Sequence, residues 1–165
     1  MAISKDKKHA IVAKLTDAFN GASSIAFVGF TKLTVKDSSK LRTELAQKGV
    51  RFFVAKKTLI RRALDTRGYT GELPELPGEV AVAWTAGEET TAPAGGVHEF
   101  GKKLKGALVL LGGVFEGVFL DAKEMTAIAT IPSMIVLRGM FANIINSPRS
   151  RFAIALAEVA KTKTV

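Results

Sequence analysis

Residues 24–64 read SIAFVGFTKLTVKDSSKLRTELAQKGVRFFVAKKTLIRRAL, and this stretch decides the fold. Ser24 to Phe30 is short, apolar and β-leaning, so it reads as a buried strand. Thr34 followed by Asp37 resembles a capping box, in which a hydroxyl accepts from a free amide while a carboxylate reaches back. The helix it opens carries Leu41 and Leu45 one turn apart on its buried side and ends at Lys48-Gly49. Val50 to Ala55 is a second strand. Lys56 to Thr66 then returns as a helix whose Leu59, Ile60, Ala63 and Leu64 pack inward. Lys57 and Arg61, and likewise Thr58 and Arg62, lie one turn apart and flank that apolar stripe with basic rows.

Upstream, Ser4 can cap a first helix to about Asn20, with Ile11, Leu15, Ala18 and Phe19 at helical spacing and Gly21 placed to stop it. Lys7, Lys8 and Lys14 occupy its other face. Downstream, Gly68 to Gly78 is rich in turn formers. Strand Val80 to Trp84, a helix from about Glu88 to Leu104 weakened by Pro93, Gly95 and Gly96, and strand Ala107 to Leu111 complete the sheet. GGVFEGVFL then reads as a hairpin or a bulged strand. Asp121 can cap a short helix to Ala129. After Pro132, Ile135, Leu137, Met140, Phe141, Ile144 and Ile145 make a strongly amphipathic helix. Ser147-Pro148, with Ser in the N-cap place and Pro at the first helical position, predicts that a new helix begins there. Phe152, Leu156 and Val159 fall on one stripe of it, with Ile154 beside them. Such a helix either lies back on its own domain or docks other chains.

Charge is distributed unevenly along the chain. Residues 1–70 hold fifteen Lys and Arg against five Asp and Glu, a net of +10, whereas the whole protein is +9. Folding does not need such a charge, and close like charges oppose compaction, so the segment points to a polyanionic partner, of which nucleic acid is the first candidate. The alternative is a set of merely solvated helix faces. With 165 residues, 47% of them hydrophobic, the chain has room for one domain with a real core and an appendage.

No Cys is present, which excludes disulfides, thiolate metal sites and cysteine nucleophiles. The opening MAISKDKKHAIVAKL is charged where a secretory signal is apolar, and Ala107 to Leu120 falls short of a bilayer span, so cytoplasm is the expected compartment. No catalytic constellation stands out. His9 and His98 have no second ligand at metal spacing, and the glycines match neither a P-loop nor a dinucleotide fingerprint. No metal and no cofactor is expected.

Three stretches together resemble one family. The run from Phe27 to Leu64 carries Leu33-Thr34-Val35, Leu41-Arg42, Lys56-Lys57-Thr58-Leu59 and Ala63-Leu64; LLGGVFEGVFLDAKEMTAIATIPSMIVL adds a Gly-Gly hairpin and two helices joined at Ile131-Pro132; and the chain closes on an apolar helix. In order and spacing these are similar to the large-subunit ribosomal stalk-base family, ribosomal protein L-ten and its archaeal and eukaryotic relative, the acidic protein P-zero. Two positions depart from the family pattern: Lys32 stands for the usual Gly before Leu-Thr, and Lys57 for the usual Asn between Lys and Thr. Both add positive charge.

The resemblance implies an α+β fold, a small mixed β-sheet covered by helices in a two-layer sandwich and followed by a protruding C-terminal helix. It implies a non-catalytic scaffold with three parts: residues 1–130 as a globular domain binding large-subunit ribosomal RNA beside ribosomal protein L-eleven, 131–146 as an amphipathic connecting helix, and 147–165 as a helix that docks dimers of the acidic stalk proteins L-seven/L-twelve, which recruit translational GTPases. It also settles the terminal helix in favour of docking. The candidate RNA contacts are Lys7, Lys8, Lys32, Lys36, Lys56, Lys57, Arg61 and Arg62, directed mainly at phosphate and folded RNA shape because the aromatics look like core. Phe152, Ile154, Leu156 and Val159 are the candidate stalk contacts. A ribosome-assembly factor of the same fold would lack the docking helix, and a free-standing nucleic-acid-binding regulator would use it to dimerise.

Overall fold

The computed structural model describes residues 5–163 apart from Lys32, Glu72, Glu88 and Lys105, so the cap expected from Ser4 lies outside the described residues. The elements run α1 Lys5–Asn20, β1 Ser24–Phe30, α2 Val35–Gln47, β2 Val50–Val54, α3 Lys57–Asp65, β3 Glu79–Thr85, α4 Ala92–Lys103, β4 Leu108–Phe115, β5 Val118–Asp121, α5 Ala122–Ala129 and α6 Met134–Lys163. The chain divides into two compact units, residues 1–131 and 132–165.

The first unit is built on one sheet of order β2-β3-β1-β4-β5. The α+β class holds, but the sheet is not mixed: all four strand pairings are antiparallel. The reason lies in β3. A helix joining β1 to β2 suggests parallel neighbours. β1 and β2 do point the same way, yet β3 lies between them, antiparallel to both. β1 separates β3 from β4 in the same manner. Two split β–α–β units are therefore interleaved.

Nor are there only two layers. On one face Ile25 and Phe27 of β1 with Val80 and Val82 of β3 meet Leu15 and Phe19 of α1 and Ile60, Ala63 and Leu64 of α3. On the other, Ala26, Val28, Ala81 and Ala83 meet Leu41 and Leu45 of α2, Val97 and Phe100 of α4, and Met125 and Ala129 of α5. Alternation along β1 and β3 sends apolar side chains to both faces, so both need a cover of helices. Burying each large aliphatic or aromatic side chain contributes about 1.5–3 kcal/mol.

Local signals account for most boundaries. Thr34 accepts from the Asp37 amide at 3.2 Å, and its own hydroxyl donates to the Asp37 carboxylate at 2.6 Å, so the reach back ends on the hydroxyl rather than the backbone. α4 starts at Ala92, later than the expected Glu88, because Pro93 has no amide to donate and fits only the first turn, where none is needed. The pair Gly112-Gly113 is not a turn. β4 carries a bulge there, since Val28 pairs with Leu110 and Phe27 with Gly112, leaving Leu111 extra. The bulge reverses the parity of the strand, so Leu110 faces the α2/α4/α5 side and Val114 the α1/α3 side. A Cβ on Gly113 would overlap the Ile25 carbonyl and the Met125 side chain. The hairpin itself turns at Glu116-Gly117, both at positive φ (51° and 86°).

The second unit corrects another expectation. No new helix starts at Ser147-Pro148; α6 is one helix of 30 residues with Pro148 inside it. An interior proline forfeits the bond to the Ile144 carbonyl and crowds it, a local cost of about 3 kcal/mol. Ending one helix at Asn146 and starting another would instead leave up to four carbonyls and four amides to be capped. No residue of α6 is buried. Among the described residues no single helix is long and apolar enough to cross a membrane.

Candidate nucleic-acid interface

The strand directions gather the basic residues. β1 and β2 end, and β3 begins, at the same end of the sheet, because Phe30 pairs with Glu79 and Val54 with Ala81. α2 leaves from the end of β1 with Lys36 in its first turn, and α3 leaves from the end of β2 with Lys56 at its N-cap and Lys57 as its first residue. α1 returns its N-terminal half to this end: Ile11, one turn beyond Lys7 and Lys8, lines a groove together with Phe30, Lys56, Lys57 and Glu79.

Five of the eight expected RNA contacts, Lys7, Lys8, Lys36, Lys56 and Lys57, thus converge on one end of the sheet. Arg61 and Arg62 continue the row along α3. Lys36 approaches from the opposite face, since α2 packs into the other half of the core. Lys32 lies outside the described residues. The side chains are exposed except that of Lys57, which is half-buried against the groove.

Among the described residues these cations find no neutralising partner. None of the seven described ones forms an ion pair or a side-chain hydrogen bond to another described residue. Lys14, Lys40, Arg42 and Arg51 are equally unpaired among the described residues, whereas two other lysines are committed: Lys48 binds Glu99 at 2.6 Å and Lys103 binds Glu44 at 3.3 Å, tying α2 to α4. Arg67 donates from Nη2 to the Phe19 carbonyl at 2.8 Å and closes the end of α1. The Lys48 hydrogen bond is the main reason the Glu99 carboxyl sits below its ordinary pKa; burial opposes it, and the charges of Lys48, Lys103 and Lys102 add to the lowering.

Sequence reasoning missed Lys102, exposed on the last turn of α4 and six residues before the start of β4 at this same end. Its charge was masked by averaging over the acidic residues 71–106. It also missed the groove, which forms only when β1, β2 and β3 are side by side. Among the described residues no cluster of three His, Cys, Asp or Glu could hold a metal ion.

α6 offers a second surface of different character. Phe152, Ile154, Leu156 and Val159 are 67%, 60%, 55% and 53% exposed. At 100° per residue, Phe152, Leu156 and Val159 share one stripe, and Ile154 falls on the opposite face of the helix. Because the helix does not break at Pro148, Leu137, Phe141 and Ile145 are in phase with that trio, and the apolar stripe runs roughly 33 Å from Leu137 to Val159.

The chain matches known proteins along nearly its full length. The model of the ribosomal protein L10 family matches residues 3–102. The large ribosomal subunit protein uL10 of Shouchella clausii is 35% identical over 158 residues, 96% of this chain and 94% of the relative. Proteins of the same name from Ralstonia nicotianae (35% over 163 residues, 99% and 95%) and Alkaliphilus metalliredigens (32% over 159 residues, 96% and 95%) agree with it. A lysine-rich pole on a small α+β domain and a long helix with an uncovered apolar stripe are thus carried by a chain that belongs to the ribosomal protein L10 family.

Proposed function

We propose that this protein is a structural constituent of the large ribosomal subunit. Its globular unit binds large-subunit ribosomal RNA at the stalk base beside ribosomal protein L-eleven, and α6 anchors dimers of the acidic L-seven/L-twelve proteins that recruit translational GTPases. The role is structural, not catalytic, and its place is the ribosome in the cytoplasm. The relatives' name, large ribosomal subunit protein, supports the placement.

The observation that carries the RNA reading is the set of seven described cations without a carboxylate partner, gathered at and near one end of the sheet. Charge left unpaired by folding is available to phosphate, and neutralising phosphates releases counterions from the RNA. Of the aromatic side chains on the strands only Phe53, on the edge strand β2, is exposed, and the others are buried or half-buried, which does not support a row of bases stacked on the sheet as on an open RNA-binding sheet. For α6, the uncovered stripe from Leu137 to Val159 supports a protein partner, because a helix lays its apolar face into an apolar groove.

The test is co-sedimentation of the tagged full chain. It should travel with large subunits and with acidic stalk proteins through a sucrose gradient; a Phe152→Asp chain should keep the subunit and lose the stalk proteins. A chain found only as a free dimer would refute the reading in favour of a free-standing regulator.

A further inference from the structure

Phe53 stands apart from the other aromatic side chains of the sheet. It lies on the edge strand β2, is 37% exposed and belongs to neither half of the core, whereas its chain neighbour Phe52 packs on the α2/α4/α5 side. Residues paired across a ladder share a face. Val82, the partner of Phe53, and Trp84, the partner of Arg51, both pack on the α1/α3 side, so Phe53 and Arg51 face that way too. Both are exposed, so neither α1 nor α3 covers them. Trp84 is half-buried beside them, its ring perpendicular to that of Phe19 at 6.4 Å between centroids. The patch is cationic as well as aromatic. Arg51 makes no ion pair and no side-chain hydrogen bond to a described residue. From Leu45 to Leu64 the chain holds six Lys and Arg and no Asp or Glu, and β2 leads directly into Lys56 and Lys57 at the N-terminus of α3.

We propose that Phe53 stacks one unpaired base of the ribosomal RNA while Arg51 holds a phosphate of the same strand; this rests on the RNA-binding reading above. A ring face and a cation two residues apart on one side of a strand are about 7 Å from each other, and a nucleotide brings a flat ring and an anion together at such a separation. Stacking needs only the ring face and tolerates any base. Arg51 supplies the charge, and its planar guanidinium meets phosphate through paired N–H donors. A protein docking on the same patch would need acidic groups to match the run of cations from Arg51 into α3, whereas RNA carries an anion at every nucleotide. One platform on an edge strand is a different contact from a row of bases on an open sheet.

The experiment uses the full chain, a stalk-base RNA fragment with its unpaired loop residues, and a blunt RNA duplex with none. Affinity is read by fluorescence anisotropy of labelled RNA, and the patch by the emission of Trp84, the only tryptophan, which lies about 7–8 Å diagonally across the ladder from Phe53. Phe53→Ala should bind the fragment about tenfold more weakly, within the range of one lost base stack, with the slope of log K against log salt unchanged. Phe53→Leu, apolar but without a ring face, should be weakened to a similar degree, and Phe53→Tyr should bind as the parent does. Arg51→Gln should instead flatten the salt slope by roughly 0.7–0.9. The fragment should quench Trp84 in the parent and in Phe53→Tyr but not in Phe53→Ala, and the duplex should bind parent and Phe53→Ala equally. Full fragment affinity in Phe53→Ala or Phe53→Leu, or an equal loss on the duplex, would overturn the stacking platform while salt-dependent fragment binding still upheld the wider reading. A Phe53→Ala chain that keeps its RNA affinity but loses a neighbouring protein from sedimented large subunits would overturn it in favour of a protein contact. Absence of salt-dependent fragment binding by the parent chain would overturn both.

Discussion

Replacing Lys56, Lys57 and Arg61 together by Gln tests the electrostatic reading quantitatively. Gln has nearly the helix propensity of Lys and Arg, so α3 should persist. Of the three, Lys56 and Arg61 are exposed and none has an ion-pair partner among the described residues, so stability should change by about 0.5 kcal/mol or less at each position. Each phosphate contact contributes roughly 0.7–0.9 to the slope of log K against log salt, taking single-strand and duplex DNA as bounds, so the triple variant should be flatter by about 2 to 3. Binding curves of the two proteins then converge near 1 M salt and separate by about a hundredfold or more at 0.1 M. The assay is anisotropy titration of a stalk-base RNA fragment across that range, with thermal unfolding as the stability check. The control is Lys48→Gln with Lys103→Gln, which removes the same kind of charge where it is already paired with Glu99 and Glu44. An unchanged slope in the triple variant, or an equal drop in the control, would refute the assignment of the RNA face to this end of the sheet.

Four further outcomes are specific. Leu156→Asp should abolish recovery of acidic stalk dimers by the full chain without shifting the unfolding of the globular unit, because no α6 residue is buried and the cost of several kcal/mol arises only when the carboxylate is buried by the partner. Pro148→Ala should stabilise α6 by up to about 3 kcal/mol, seen as higher helical circular dichroism and a later melt; a loss of helicity would restore Ser147-Pro148 as a helix start. Leu45→Ala or Leu64→Ala should cost about 2–5 kcal/mol in denaturant unfolding, because both side chains are buried in the two halves of the core. Glu99 has a lowered folded-state pKa, so its pairing with Lys48 contributes stability above the ordinary carboxylate range and loses it as pH falls from about 4.5 through the folded value. The pair is exposed, so the step should amount to a few tenths of a kcal/mol and shrink in Lys48→Ala.

What the sequence alone determined was local. The strand Ser24–Phe30, the Thr34 cap, the buried pairs on α2 and α3 and the turn-rich residues 68–78 follow from side-chain spacing and backbone chemistry within a few residues, and the segment charge of +10 follows from counting. The candidate cations were legible for the same reason, as was the apolar stripe of the terminal helix. What only tertiary structure decided was which elements become neighbours. β3 separates β1 from β2, which makes the sheet antiparallel and brings Phe30, Val54 and Glu79 together across a gap in sequence that no periodicity spans. The Gly112-Gly113 pair became a bulge, because its environment is Ile25 and Met125, contributed by other elements. Which lysines are free was likewise invisible in a linear count, since Lys48 and Lys103 find Glu99 and Glu44 only when α4 packs on α2. Cooperative pairing over long sequence separations sets these outcomes, and the free energy of such contacts belongs to the assembled core rather than to any segment.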